Sequence, residues 1–136
     1  MEGDWQPKIL IVDSDVRALG VIENFLGDAG FDLTTARSCE VAGNLLRSTE
    51  YDLVVVDDQF ADLTSGCVFV LLQQLRKGAP VIVMENAPSR PCGVRPYNSL
   101  RASRFVNKWR PCELLQAARE ILSLPSVRET DGDFDP

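Results

Sequence analysis

The residues best equipped for chemistry in this chain stand where apolar runs stop. Leu53-Val-Val-Val56 gives way to Asp57-Asp58, and Ile9-Leu-Ile-Val12 gives way to Asp13-Ser14-Asp15. Val81-Ile-Val-Met84 is closed by Glu85, and Phe105-Val-Asn107 by Lys108. Short apolar runs bounded by charge read as strands buried on both faces of a parallel sheet. Such strands deliver the residue that follows them to the carboxyl edge, where open α/β folds place their ligands. Asp13, Asp57, Glu85 and Lys108 are therefore expected on one rim. Acids gathered around an ammonium can hold a hard cation or carry phosphate chemistry, with Asp57 as the phosphate-accepting or metal-holding member.

The segments between the runs must position that rim. Val16, Leu19, Ile22, Phe25, Leu26 and Ala29 recur at helical spacing and Gly30 suits the residue just past a helix end. Asp15 is placed to cap this helix. A strand is expected over 31–36, then a helix capped by Ser38 with Val41, Ala42, Leu45 and Leu46 on its stripe. Val68, Leu71, Leu72 and Leu75 predict another helix that stops at Lys77-Gly78. The next helix position is disrupted by Pro88, Pro91 and Pro96, each costing about 3 kcal/mol in a helix interior. A loop with at most one turn near 98–102 is expected there. Pro111 suits the first position of a final helix with Leu114, Leu115, Ala118, Ile121 and Leu122 on its stripe. Strand and helix thus alternate five times, with the fourth helix degraded or replaced by a loop, and right-handed crossovers give a doubly wound five-stranded parallel sheet.

At 136 residues the chain fits one domain, expected over 8–124, with 1–7 and the acidic stretch 125–136 as flexible termini or linker. It is 45% hydrophobic and 25% charged, the balance of an ordinary soluble globular protein. No apolar run approaches 18 residues and the start lacks a signal pattern, which predicts a cytoplasmic protein. A net charge of −6 argues against direct nucleic-acid binding. The four cysteines form no Cys-x-x-Cys pair and there is no histidine, which argues against zinc, thiol redox and His-activated nucleophiles; isolated cysteines of this kind are usually small buried hydrophobes. The interval 86–111 carries Arg90, Arg95, Arg101, Arg104, Lys108 and Arg110 without an acid, reading either as a solvated basic edge or as a docking surface for an acidic partner.

Taken together, Ile-Leu-Ile-Val-Asp13, Tyr-Asp-Leu-Val-Val-Val-Asp57 and Phe105-Val-Asn-Lys108 resemble the receiver (response regulatory) domain of bacterial two-component systems, a flavodoxin-like (βα)5 fold, over nearly the whole ordered chain. The resemblance implies a phosphorelay signalling domain and not an enzyme, apart from self-phosphorylation and its reversal. It implies that Asp57 takes phosphate from a histidine kinase or phosphotransfer protein, that Asp13, Asp57 and the Gln59 backbone carbonyl hold Mg2+, and that Lys108 pairs with the acceptor. It places Phe105 at the rotating switch aromatic and makes the region after strand 4 the contact surface for a downstream protein. Self-association into a homodimer stays open.

The departures define an atypical, pseudo-receiver-like variant. Ser14 stands where the second metal-binding acid belongs, and a neutral hydroxyl is a poorer ligand for a hard ion than a carboxylate. Asp15 could replace it only if the loop is reshaped. Glu85 takes the usual Thr/Ser switch position, where a carboxylate about 5 Å from a phosphoryl group opposes it by roughly 3 kcal/mol per unit charge at an effective dielectric near 20. Glu85 either faces outward as an exposed strand-end acid or pairs with Lys108. Trp109 replaces the proline that normally follows the lysine, and with Arg110 reads as a contact surface. Asp58 would be the acceptor in a shifted register but is expected to be solvated. An alternative reading, a haloacid-dehalogenase-like phosphatase with Asp13 as nucleophile, rests on Asp13-Ser14-Asp15.

Overall fold

The computed structural model describes residues 6–58, 78–86 and 104–123. In chain order these form β1 (Lys8–Val12), α1 (Val16–Asp28), β2 (Asp32–Ala36), α2 (Cys39–Ser48), β3 (Leu53–Asp57), β4 (Val81–Glu85), β5 (Arg104–Asn107) and α3 (Pro111–Ile121). All five strands are parallel, in the order β2-β1-β3-β4-β5. That is the flavodoxin-like order, whose direction of growth reverses between β1 and β3 and opens a crevice at their carboxyl ends.

Strand alternation sorts the core into two layers. Ile9, Ile11, Leu53, Val55, Ile82, Met84 and Val106 pack against Leu19, Ile22 and Leu26 of α1 and Leu114, Ala117 and Ala118 of α3. Leu10, Val12, Val54, Val56, Val81 and Val83 form the opposite layer with Ala42 and Leu46 of α2. Ile9–Val12 and Leu53–Val56 are wholly buried. This is why those runs are apolar without a break.

The helix stripes are narrower than the spacing suggested. On α1, Ala18, Leu19, Ile22 and Leu26 are buried, whereas Val16 and Phe25 are exposed, and Val41 of α2 is exposed too. Phe25 lies about 60° around the helix from Ile22, so it falls at the edge of the stripe. Asp15 caps α1, its carboxylate accepting from the N–H groups of Arg17 (3.0 Å) and Ala18 (3.4 Å), and Ser38 Oγ accepts from the Val41 N–H at 3.2 Å to start α2. Proline occupies the first turn of α3. The helix expected around 68–75, the proline-rich stretch over 87–103, Gln59 and the acidic tail lie outside the described residues. No helix among those described is long and apolar enough to cross a membrane. The two described cysteines depart from the usual pattern of small buried hydrophobes: Cys112 is free and exposed on α3, and Cys39, at the head of α2, is disulfide-bonded.

Gly30 is required at the turn from α1 to β2. Its φ is +94°, and its N–H donates to the Gly27 carbonyl at 3.0 Å while the Phe31 N–H reaches Leu26. A Cβ there would meet nothing within 4 Å, so the demand is one of backbone conformation and not of space. Gly20, in the middle of α1 and equally uncrowded, carries no such demand. Gly30→Ala should therefore lower unfolding stability by about 1–2 kcal/mol, and Gly20→Ala should raise it by about 0.5–1 kcal/mol. Urea denaturation of the two variants beside the wild type measures both signs.

Candidate functional site

The carboxyl edge brings two acids onto one ammonium. Asp13 follows β1, Asp57 ends β3, and Lys108 follows β5, where its backbone N–H donates to the Glu85 carbonyl at 3.0 Å. Lys108 Nζ donates to Asp57 Oδ1 at 2.9 Å and to Asp13 Oδ1 at 3.2 Å. It also lies 3.0 Å from Asp13 Oδ2, an ion-pair contact without hydrogen-bond alignment, since that oxygen is buried and accepts no hydrogen bond. Asp13 Oδ1 additionally accepts the Asp15 N–H at 2.9 Å. Asp13 is 0%, Asp57 3% and Lys108 8% exposed, so these charges meet away from bulk water.

Burial works on both signs of charge. It pushes the Asp13 carboxyl up, assisted by the neighbouring charge of Asp57, against the opposing pull of the Asp15 N–H and Lys108. For Lys108, burial favours the neutral amine, but the hydrogen bonds and charges of Asp57 and Asp13 together outweigh it and hold the ammonium above its usual range. Asp15 is a different case. Desolvation opposes its ionisation, yet the Ala18 and Arg17 N–H groups, with the charges of Lys108 and Arg17, keep its carboxyl low.

The remaining predicted residues are distributed as follows. Glu85 is 4% exposed, which corrects the reading of an exposed strand-end acid. By strand alternation Asp13 and Asp57 continue the rows that end in Ile11 and Val55, facing α1 and α3, whereas Glu85 continues the row of Val81 and Val83 on the α2 side. Ser14 is exposed. Phe105 is half-buried and packs with the α2-side layer. Asp58 is not left to solvent: its Oδ2 accepts the Asn86 N–H at 3.4 Å, because the β3–β4 register sets the two strand ends side by side. Of the basic stretch, Arg104 pairs with Glu120 at 2.9 Å and Arg110 with Glu113 at 3.5 Å. These described cations therefore already have acid partners on α3.

The described carboxylates at this edge are engaged by protein groups, and Gln59, the remaining expected metal ligand, lies outside the described residues. Magnesium asks for several oxygen ligands in strict geometry, and no cluster of three His, Cys, Asp or Glu able to hold a metal occurs among the described residues. Asp13 and Asp57 already share an ammonium, and Asp15 spends its carboxylate on the helix cap. The same cap engages the second acid of the phosphatase reading. The contacts that sequence reasoning missed are those of Asn86 and Trp109. The Trp109 indole N–H donates to Asn86 Oδ1 at 2.6 Å. The signal was positional only, since Asn86 and Trp109 each directly follow a rim residue on adjacent strands.

A parallel sheet in this order, with acids at the ends of β1 and β3 and a lysine after β5, defines a flavodoxin-like domain with a charged carboxyl edge. The chain is 31% identical over 127 residues to the probable transcriptional regulatory protein SilR of Salmonella typhimurium, covering 93% of this chain and 56% of that protein's length. The signal receiver domain of an HD domain-containing protein from Pseudomonas fluorescens Pf-5 superposes with a TM-score of 0.72 at 28% identity, over 88% of this chain and 96% of that one. The response regulator TrrA of Thermotoga maritima, solved in complex with Mg(2+)-BeF, shares the fold with a TM-score of 0.70 at 24% identity, over 85% of this chain and 99% of that one. No family model matches the chain. Its fold and its relatives fit a receiver domain of two-component response regulators.

Removing the shared cation would leave two buried carboxylates facing each other. Lys108→Met should cost about 3 kcal/mol of unfolding stability near neutral pH. Because the folded-state pKa of Lys108 is raised, its contribution is fully present below the ordinary value of 10.5 and is lost as pH climbs through the higher folded value. The gap between wild type and Lys108→Met should therefore narrow above pH 10.5, as measured by urea denaturation across that range.

Proposed function

We propose that this domain, spanning residues 8–124, is an atypical receiver that works without phosphate and signals through protein contacts. The observation that carries this reading is the Lys108 ammonium bound at once to Asp13 and Asp57. In that arrangement one built-in cation supplies charge compensation to both acids, and one Asp57 carboxylate oxygen, Oδ1, is engaged by it. Two further features agree. Asp15, which could make up for the neutral Ser14, gives its carboxylate to the N–H groups of α1. Glu85 adds a third buried carboxylate at the same edge, and a phosphoryl group there would bring further negative charge close to it.

The partner in this reading is a downstream protein that recognises the surface around β4, β5 and α3. A histidine kinase or phosphotransfer protein, with Mg2+ held by Asp13, Asp57 and the Gln59 carbonyl, belongs to the opposite reading, in which Asp57 is the phosphoacceptor, Lys108 its partner cation and Glu85 and Phe105 the switch pair.

The conditions that trap other receivers separate the two. Incubation with magnesium and acetyl phosphate, or with magnesium and beryllofluoride, should leave the intact mass and the tryptophan emission of the protein unchanged. A stoichiometric phosphoryl adduct that disappears in Asp57→Asn would establish the phosphoswitch instead.

A further inference from the structure

Hydrogen bonds at the rim continue beyond the acid pair into a chain of contacts that charge compensation alone does not require. Asp58 Oδ2 holds the Asn86 N–H, and Asn86 Oδ1 accepts the Trp109 indole N–H at 2.6 Å. The Trp109 backbone N–H donates to Asn107 Oδ1 at 2.9 Å, and the Asn107 N–H donates to Glu113 Oε1 at 3.3 Å. The indole held in this way lies over Lys108, with the ammonium nitrogen 5.4 Å from the ring centroid. An ammonium within about 6 Å of an indole centroid is attracted by the ring quadrupole. Trp109 is 52% exposed, so burial does not dictate where the ring sits. Its hydrogen bond to Asn86 and its cation do.

We propose that Trp109 is a positioning residue that keeps Lys108 on Asp13 and Asp57, and that Asn86 is the anchor through which it does so. Resting on the reading of Asp13, Asp57 and Lys108 as the signalling centre, this adds a mechanical link. Lys108 cannot leave the acid pair unless the indole gives way, and the indole cannot give way without freeing Asn86 at the end of β4. Occupancy of a buried charge cluster is thereby tied to the position of an exposed aromatic ring, the kind of group a protein partner can read.

Competitive trace acetylation of the whole chain with acetic anhydride, read for each lysine by peptide mass spectrometry, tests the link. In the wild type, Lys108 should react about tenfold more slowly than exposed Lys8, being shielded and held protonated. Trp109→Ala should speed Lys108 by about threefold or more, the size one net hydrogen bond and its ring contact support. Trp109→Phe and Asn86→Ala each remove the same hydrogen bond while keeping a ring, and should give smaller, equal increases. Combined, those two should do no more than either alone. An unchanged Lys108 rate in both Trp109→Ala and Asn86→Ala, or additive effects in the double variant, would overturn the proposal. Asp57→Asn separates this failure from that of the underlying reading. If it speeds Lys108 while the Trp109 and Asn86 variants do not, only the positioning role falls; if Asp57→Asn leaves Lys108 unchanged, the acid-pair reading falls with it.

Discussion

A single ammonium group shared by two buried carboxylates is the constraint on which this rim depends. Each partner alone would be costly to bury: an isolated charge in a low-dielectric interior loses far more hydration energy than ordinary packing returns. The three are affordable only together, and they meet only because β1, β3 and β5 deliver their last residues to the same edge. Even so the compensation is incomplete. Desolvation pushes the Asp13 carboxyl up although Lys108 touches it, and the neighbouring charge of Asp57 adds to that push. A rim in that state resists further negative charge and favours whatever keeps Lys108 in place.

The elements behind the rim serve this placement. The two core layers clamp β1, β3 and β4 so that their ends cannot drift apart, and the cap at Asp15 fixes the loop that turns Asp13 inward. The cap shows how a small change in sequence redirects chemistry. With Ser14 next to Asp13, the nearest further carboxylate belongs to Asp15, and the α1 N–H groups claim it first, since a helix end with unsatisfied donors is itself a strong site for an acid.

Most of the architecture was legible from the sequence because the signal for it is repeated. Four apolar runs ending in charge, a glycine after α1, a serine before α2 and a proline at the start of α3 each restate the same alternating plan. The meeting of Asp13, Asp57 and Lys108 followed from that plan alone. What escaped was whatever depends on register and direction. Helical spacing could not say that Phe25 falls just outside the buried stripe, nor could a strand-end acid reveal that Glu85 turns toward the α2 layer. Asp58 read as solvated because its partner, the Asn86 N–H, is brought beside it only by the pairing of β3 with β4. Arg104 looked like part of a free basic edge because its acid, Glu120, lies three turns along α3, a helix the sequence leaves unplaced relative to β5, whereas the acid of Arg110, Glu113, stands only three residues on and just beyond the acid-free interval.

The alternation that puts Asp13 and Asp57 in the rows facing α1 and α3 sends Glu85 toward α2. The sheet is thus a partition, and the edge has two addresses. The shared ammonium with its two acids and the buried Glu85 carboxylate are therefore reached from opposite helical layers, and a change of packing in one layer meets one of them before the other.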